Sequence, residues 1–291
     1  MSRPEVLRHS PQELLSVRDI EVQFTKRTGL LGMRPETFTA VGGVSLSMAR
    51  GETLGLVGES GSGKSTLARG ILGLTPLTAG SVGFDGHDLH ALSGRELRRV
   101  QQDIQMVFQD PLASLNPRYT IGQAIAEGWR IHPATAPPRG RRRQRVGELL
   151  ELVGLNPDHA ERYAHEFSGG QRQRVSIARA IAMDPKLIVC DEAVSALDVS
   201  IQAQVLNLLG DLQRELGIAY LFISHDLSVV RYIADRVAVM YRGELVETGD
   251  TEDIFTSPQH PYTARLLDAI PTVRPWAAEA AAGTSSEWSH S

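Results

Sequence analysis

Cysteine occurs once in 291 residues, at Cys190, so the chain has no internal disulfide and too few thiolates for a zinc or iron–sulfur centre. That thiol lies in the apolar run Leu187-Ile188-Val189-Cys190, where free cysteine behaves as a small buried hydrophobe. A reducing compartment fits this usage. Long apolar runs are missing too. No stretch approaches the roughly 18 residues that mark a membrane span, and no N-terminal apolar leader is visible. The expectation is a cytoplasmic chain that meets a membrane only through a partner. Charge of one sign is scarce: a net charge of −4 argues against nucleic acid as a partner. The one basic concentration, Arg139, Arg141, Arg142, Arg143 and Arg145, reads as a solvated loop entering a helix.

What is present is ordinary for a globular protein, with 42% hydrophobic and 22% charged residues and enough length for a substantial core. Leu14 to Phe24 alternates as a strand, and Val44 to Met48 resumes that character after a polar, glycine-containing interruption from Lys26 to Pro35. Leu54 to Val57 is a short apolar strand running into a glycine-rich turn. Ser65 to Leu74 then has helical spacing, and Asp103 to Gln109 reads as another strand. From Pro111 to about Ala164 strand signals stop and amphipathic helices such as Arg145 to Val153 take over, as in a helical subdomain inserted into an α/β core. The core resumes with a helix near Ser168, strand Leu187 to Cys190, helix Ile201 to Leu216 and strand Ala219 to Ser224. A hairpin over Val237 to Tyr241 and Leu245 to Thr248 turns at Arg242-Gly243.

The expected division is therefore 1–110 for an N-terminal antiparallel β region with the first part of the core. Residues 111–167 form the helical subdomain, whose last helix runs to about 184. Residues 185–250 are the remainder of the core, 251–274 a C-terminal helical extension, and 275–291 a disordered tail.

Gly58-Glu59-Ser60-Gly61-Ser62-Gly63-Lys64-Ser65 fits the phosphate-binding loop between a strand and a helix. Its glycines let backbone N–H groups turn inward around a phosphate chain at a positive helix terminus. Lys64 would neutralise β- and γ-phosphate oxygens, Ser65 would ligate Mg²⁺, and Thr66 would extend the polar lip. Leu187 to Cys190 ends in Asp191-Glu192, carboxylates at the end of a strand where open α/β sheets bind ligands. Asp191 suits a magnesium shell, and Glu192 a general base for water. Ser168-Gly169-Gly170-Gln171 opens a helix with a hydroxyl and free N–H groups.

With these motifs in this order, the chain resembles the ATP-binding-cassette family from about Leu15 to Pro271. The resemblance implies a P-loop NTPase core with an inserted helical subdomain, and ATP with Mg²⁺ as cofactors. It makes Ser168, Gly169, Gly170 and Gln171 a signature that meets ATP across a cassette dimer, and Asp198 in Ser195-Ala196-Leu197-Asp198 part of the loop linking the two sites. It makes Phe24 the aromatic that stacks on adenine. Gln109 becomes a magnesium ligand that also senses a transmembrane partner, and His225 the switch histidine at the γ-phosphate. More narrowly, Gln109-Asp110-Pro111, Ala113 to Arg118, Glu192 to Ser200 and Pro258 to Thr263 are similar to the second ATPase subunit of oligopeptide, dipeptide and nickel importers. That likeness implies a related second ATPase subunit, two permease subunits and an extracytoplasmic solute-binding protein, with this chain peripheral on the cytoplasmic face. A soluble mechanochemical cassette ATPase is the alternative. It normally carries long heptads between the loop and the signature, or two cassettes, and neither is seen here. An exporter ATPase differs only in the subfamily motifs.

Overall fold

The structure is a computed structural model that describes residues 13–28 and 34–269. Strands β1 (Glu13–Thr28) and β2 (Arg34–Ala49) open the chain as an antiparallel pair. Their register runs from Glu13↔Ala49 to Thr28↔Arg34, so the stretch Lys26 to Pro35 is paired at both ends instead of interrupting the strand. A hairpin arm is held by backbone hydrogen bonds, which do not require an apolar face. There follow β3 (Thr53–Val57), α1 (Lys64–Ile71), β4 (Ala79–Phe84), β5 (His87–Asp88), α2 (Gly94–Gln101) and β6 (Ile104–Val107). Two boundaries fall inside their expected ranges. Helix α1 stops at Ile71, ahead of Gly73 at φ 69°, and β6 stops at Val107, leaving Gln109 on the following loop.

Helices α3 (Pro111–Ser114), α4 (Ile121–Ile125), α5 (Glu127–Ile131), α6 (Arg142–Leu152) and α7 (Gly169–Ile181) come next. They are followed by β7 (Leu187–Asp191), α8 (Val199–Leu216), β8 (Ala219–Ile223), α9 (Leu227–Ile233), β9 (Arg236–Tyr241), β10 (Glu244–Asp250), α10 (Thr251–Thr256) and α11 (Pro261–Asp268). The proposed tail, and the end of the extension beyond 269, lie outside the described residues.

One sheet has the order β2-β1-β4-β5. The other has the order β10-β9-β3-β8-β7-β6, parallel except for the antiparallel edge strand β10. A parallel sheet buried on both faces needs apolar side chains at every position, and β3, β7 and β8 are buried throughout. Their alternation assigns the two faces. Leu187, Val189, Leu221 and Ile223 pack with α1 and the antiparallel sheet, while Ile188, Cys190, Tyr220 and Phe222 pack with α7, α8 and the helical subdomain.

Among the helices that follow Pro111, Trp129 ties α5 to the end of α7: it is 2% exposed and donates its indole N–H to the Ala182 carbonyl at 2.8 Å. Thr120 caps α4 through a reciprocal box with Gln123. The basic run does enter α6, where Arg143 pairs with Glu161 at 3.5 Å and Arg145 with Asp184 at 3.3 Å. At these exposed sites such pairs contribute about 1 kcal/mol or less.

Candidate active site at the carboxyl ends of the central strands

Strand order decides what meets. β3, β8, β7 and β6 are parallel neighbours, so the residues following their C-terminal ends line one edge of the sheet. The phosphate loop follows β3, His225 follows β8, Asp191 ends β7 with Glu192 next, and Gln109 follows β6.

Lys64 is buried, and its three ammonium protons have three acceptors: the carbonyls of Gly58 (2.7 Å) and Glu59 (2.8 Å) and the Ser62 hydroxyl (3.3 Å). Burial lowers its pKa, against the opposing pull of Glu192, Asp191 and Glu59. Loss of solvation outweighs the three nearby carboxylates. Gly63 precedes α1 as its N-cap at φ 103°, and a Cβ there would stand 2.4 Å from the Ala40 carbonyl, so no other residue fits. Gly58 and Gly61 also have positive φ. Ser60 and Gly61 are exposed at the loop's crown, and Thr66 is half-buried on α1.

The Ser65 hydroxyl donates to Asp191 Oδ1 at 2.9 Å. Burial pushes the Asp191 carboxyl above its ordinary range, and this hydrogen bond pulls the other way. Glu192 is fixed in the left-handed region at φ 50°, a costly backbone for a residue with a Cβ and one that clusters at active sites. Its Oε1 lies 3.3 Å from His225 Nδ1. Its carbonyl accepts from Ser195 Oγ at 2.9 Å, and that hydroxyl accepts from Gln109 Nε2 at 3.4 Å. Gln109, Ser195, Glu192 and His225 thus form one hydrogen-bonded series along the strand ends.

Ser65, Asp191 and Gln109 offer hydroxyl, carboxylate and amide oxygens, a hard donor set that suits Mg²⁺. The Asp191 carboxylate, pushed up by burial despite the nearby Arg69 and Lys64 charges, fits that ion as well.

The signature is held separately, on its own helix. Ser168 accepts from the Gln171 N–H at 3.3 Å and donates its own N–H to Gln171 Oε1 at 3.0 Å, a complete capping box. Ser168 and Gly169 remain exposed, whereas Gly170 faces α8, where an added Cβ would meet Ile201 at 2.4 Å. Asp198 is exposed at the start of α8, beside Val199 at 83% exposure. Phe24 is 47% exposed and stands opposite Phe38, itself 62% exposed. Phe38 escaped sequence reading because its partnership depends on hairpin register. Tyr262 was visible only as part of a family run; its hydroxyl accepts from the Glu59 N–H at 3.0 Å.

Fold and site together define a P-loop nucleotide-binding cassette. The family model described as ABC transporter matches residues 41–195, and that described as oligopeptide/dipeptide transporter, C-terminal region, matches residues 246–289. The oligopeptide transport ATP-binding protein OppF of Salmonella typhimurium is 54% identical over 265 residues, covering 90% of this chain and 79% of that protein. The glutathione import ATP-binding protein GsiA of Pectobacterium atrosepticum is 52% identical over 264 residues; the match takes in 91% of this chain but only 42% of that longer protein. Among solved structures, cbiO1 from Clostridium perfringens, part of the ABC transporter complex cbiONQ, superposes with TM-score 0.72 at 27% identity, covering 84% of this chain and 92% of its own. The cassette MJ0796, solved as a dimer in a post-hydrolysis state with ADP and Pi, gives 0.71 at 30% identity over 82% of this chain and 99% of its own. The chain belongs to the ABC transporter family, within its oligopeptide/dipeptide branch.

Proposed function

We propose that this chain is the ATP-hydrolysing subunit of an importer for peptides or related small solutes, glutathione among them. The observation that carries the reading is the convergence of Lys64, Ser65, Asp191, Glu192 and His225 on one edge of the central sheet. Phosphoryl transfer to water depends on positioning and charge neutralisation more than on covalent chemistry. Lys64 exchanges its loop carbonyls for β- and γ-phosphate oxygens. Ser65, Asp191 and Gln109 would hold Mg²⁺, which would supply positive charge against the phosphates. Glu192 takes the proton of the attacking water as general base, and His225, held at Glu192 Oε1, faces the γ-phosphate. The exposed aromatics Phe24 and Phe38 provide the adenine platform.

Ser168, Gly169, Gly170 and Gln171 complete the site of a partner cassette, a related second ATPase subunit, with Asp198 between the two sites. Closure around ATP and release after hydrolysis make the dimer a ligand-biased switch. Two permease subunits dock on the helical side. A cavity of about 490 Å³ between α2 and the end of α5, lined by Arg95, Arg98, Arg99, His132 and Ile131, suits an acidic or amphipathic cytoplasmic helix of such a subunit. An extracytoplasmic binding protein delivers the solute, and the chain works at the cytoplasmic face of the membrane.

The test is ATP hydrolysis by the assembled complex with and without solute-loaded binding protein, for wild type and Glu192→Gln. Stimulation by the loaded protein, cut by about 10²- to 10⁴-fold in the variant, supports the reading. Hydrolysis indifferent to permease and binding protein overturns it.

A further inference from the structure

The backbone of Glu59 in the phosphate loop is held on both sides of its Cα. Its carbonyl accepts from Lys64 Nζ at 2.8 Å, while its N–H donates to the Tyr262 hydroxyl at 3.0 Å. These bonds differ in origin. The first is local, five residues apart, and the second spans 203 residues from the C-terminal helix α11. Tyr262 is itself firmly placed. It is 3% exposed, and its ring packs against Tyr241 with centroids 4.1 Å apart. The N-terminal turn of α11 is fixed by His260, whose Nδ1 accepts from the Tyr262 N–H at 3.2 Å. The preceding turn is fixed by Glu247 of β10, whose carboxylate accepts the N–H groups of Gln259 (2.7 Å) and His260 (3.1 Å).

We infer that Tyr262 is a positioning residue for the nucleotide site, through which the C-terminal element holds the phosphate loop in its binding shape. The inference rests on the nucleotide-site reading above. Its physical basis is an exchange of bonds. When Lys64 turns from the loop carbonyls to phosphate oxygens, the Glu59 carbonyl loses its hold and the Tyr262 contact remains. Without Tyr262 the loop enters the empty state with one fewer constraint, and ordering it falls to the nucleotide. The contact therefore acts on binding and leaves the chemical step alone.

The experiment uses the full chain and Tyr262→Phe, which keeps the ring against Tyr241 and deletes only the hydroxyl. MgATP affinity should weaken about 3- to 10-fold, the equivalent of one lost hydrogen bond. Turnover at saturating MgATP should stay within about twofold in the assembled complex. Amide exchange of the loop segment 54–66 should quicken in the nucleotide-free variant, with melting little changed. Unchanged affinity and unchanged loop exchange overturn the inference, as does a loss confined to kcat. Tyr262→Ala, which also removes the ring, separates the hydroxyl from packing: if Tyr262→Phe behaves as wild type and only Tyr262→Ala is impaired, Tyr262 is a packing residue. Failure of the wild-type chain itself to bind MgATP would instead remove the nucleotide-site reading.

Discussion

Ser65 and Asp191 stand 126 positions apart in sequence, yet the serine hydroxyl lies 2.9 Å from the aspartate carboxylate. The parallel pairing of β3 to β8 and of β8 to β7 brings them together, since it sets the helix start after β3 and the end of β7 on one edge. The bond links the two halves of the proposed magnesium shell before any ion arrives.

Asp191→Asn should stabilise the nucleotide-free chain and weaken its magnesium-dependent activity. Burial raises the native carboxyl pKa above the unfolded value, so the native state binds this proton more tightly. The resulting stability cost is absent below the unfolded pKa, grows as pH rises through the raised native value, and persists above it. Asparagine keeps an acceptor for Ser65 and removes the cost. Melting at neutral pH should rise by about 2–4 °C, the effect of roughly 1 kcal/mol in a domain of this size, and the gain should fade in acid. Thermal scans against pH, beside a Mg²⁺ titration of ATPase rate, measure both effects. A melting point lowered at neutral pH would refute the burial argument.

His225 and Glu192 should act as a unit in hydrolysis. The pair is solvent-accessible, with side chains 57% and 24% exposed, so it contributes little to stability. His225→Ala should therefore leave melting nearly unchanged while lowering kcat about 10²-fold or more. Adding Glu192→Gln should bring much less further loss than the two single effects combined. Full additivity in that cycle would separate their roles.

Gly170 of α7 packs closely against Ile201 of α8. Gly170→Ala should cost about 1–3 kcal/mol, because the new methyl meets the Ile201 side chain at 2.4 Å. Ile201→Ala in the same chain should recover part of that loss, visible in urea unfolding. If the pair is no better than the sum of its parts, the crowding is relieved elsewhere.

Trp129→Phe should destabilise by about 1–3 kcal/mol, since it leaves the buried Ala182 carbonyl without its indole donor. MgATP binding by the isolated chain should persist, because the indole sits in the helical subdomain, away from the strand ends. Equilibrium unfolding and nucleotide titration on the same variant check the two halves of this prediction.

Much of the candidate site was legible in the sequence because phosphate chemistry is local. Gly58 to Ser65 and Asp191-Glu192 carry their meaning in adjacent residues, and the apolar strands before them gave the sheet edge. Other parts were not. β4, β5 and α2 went unread between Thr75 and Gln102: β4 is interrupted by Gly80 and Gly83, β5 is two residues long, and α2, although amphipathic, is short and buries no residue. The hairpin beyond Lys26 was hidden for a related reason, since paired backbone in a polar arm leaves no pattern in side chains. The contact of Tyr262 with Glu59 depends on how α11 comes to rest, which no spacing in the chain encodes.

The two-faced sheet has a consequence for how mutations in this chain should be read. In β8, Ala219, Leu221 and Ile223 belong to one core, and Tyr220 and Phe222 to the other. Adjacent letters of the sequence therefore report on different bodies, and a substitution scan along the strand would alternate in phenotype with the parity of position. Odd positions would disturb the layer beneath the antiparallel sheet, and even ones the layer that carries the signature helix. Only one thickness of backbone separates them, so a wedge driven into either layer is felt by the other as a bend in a shared wall.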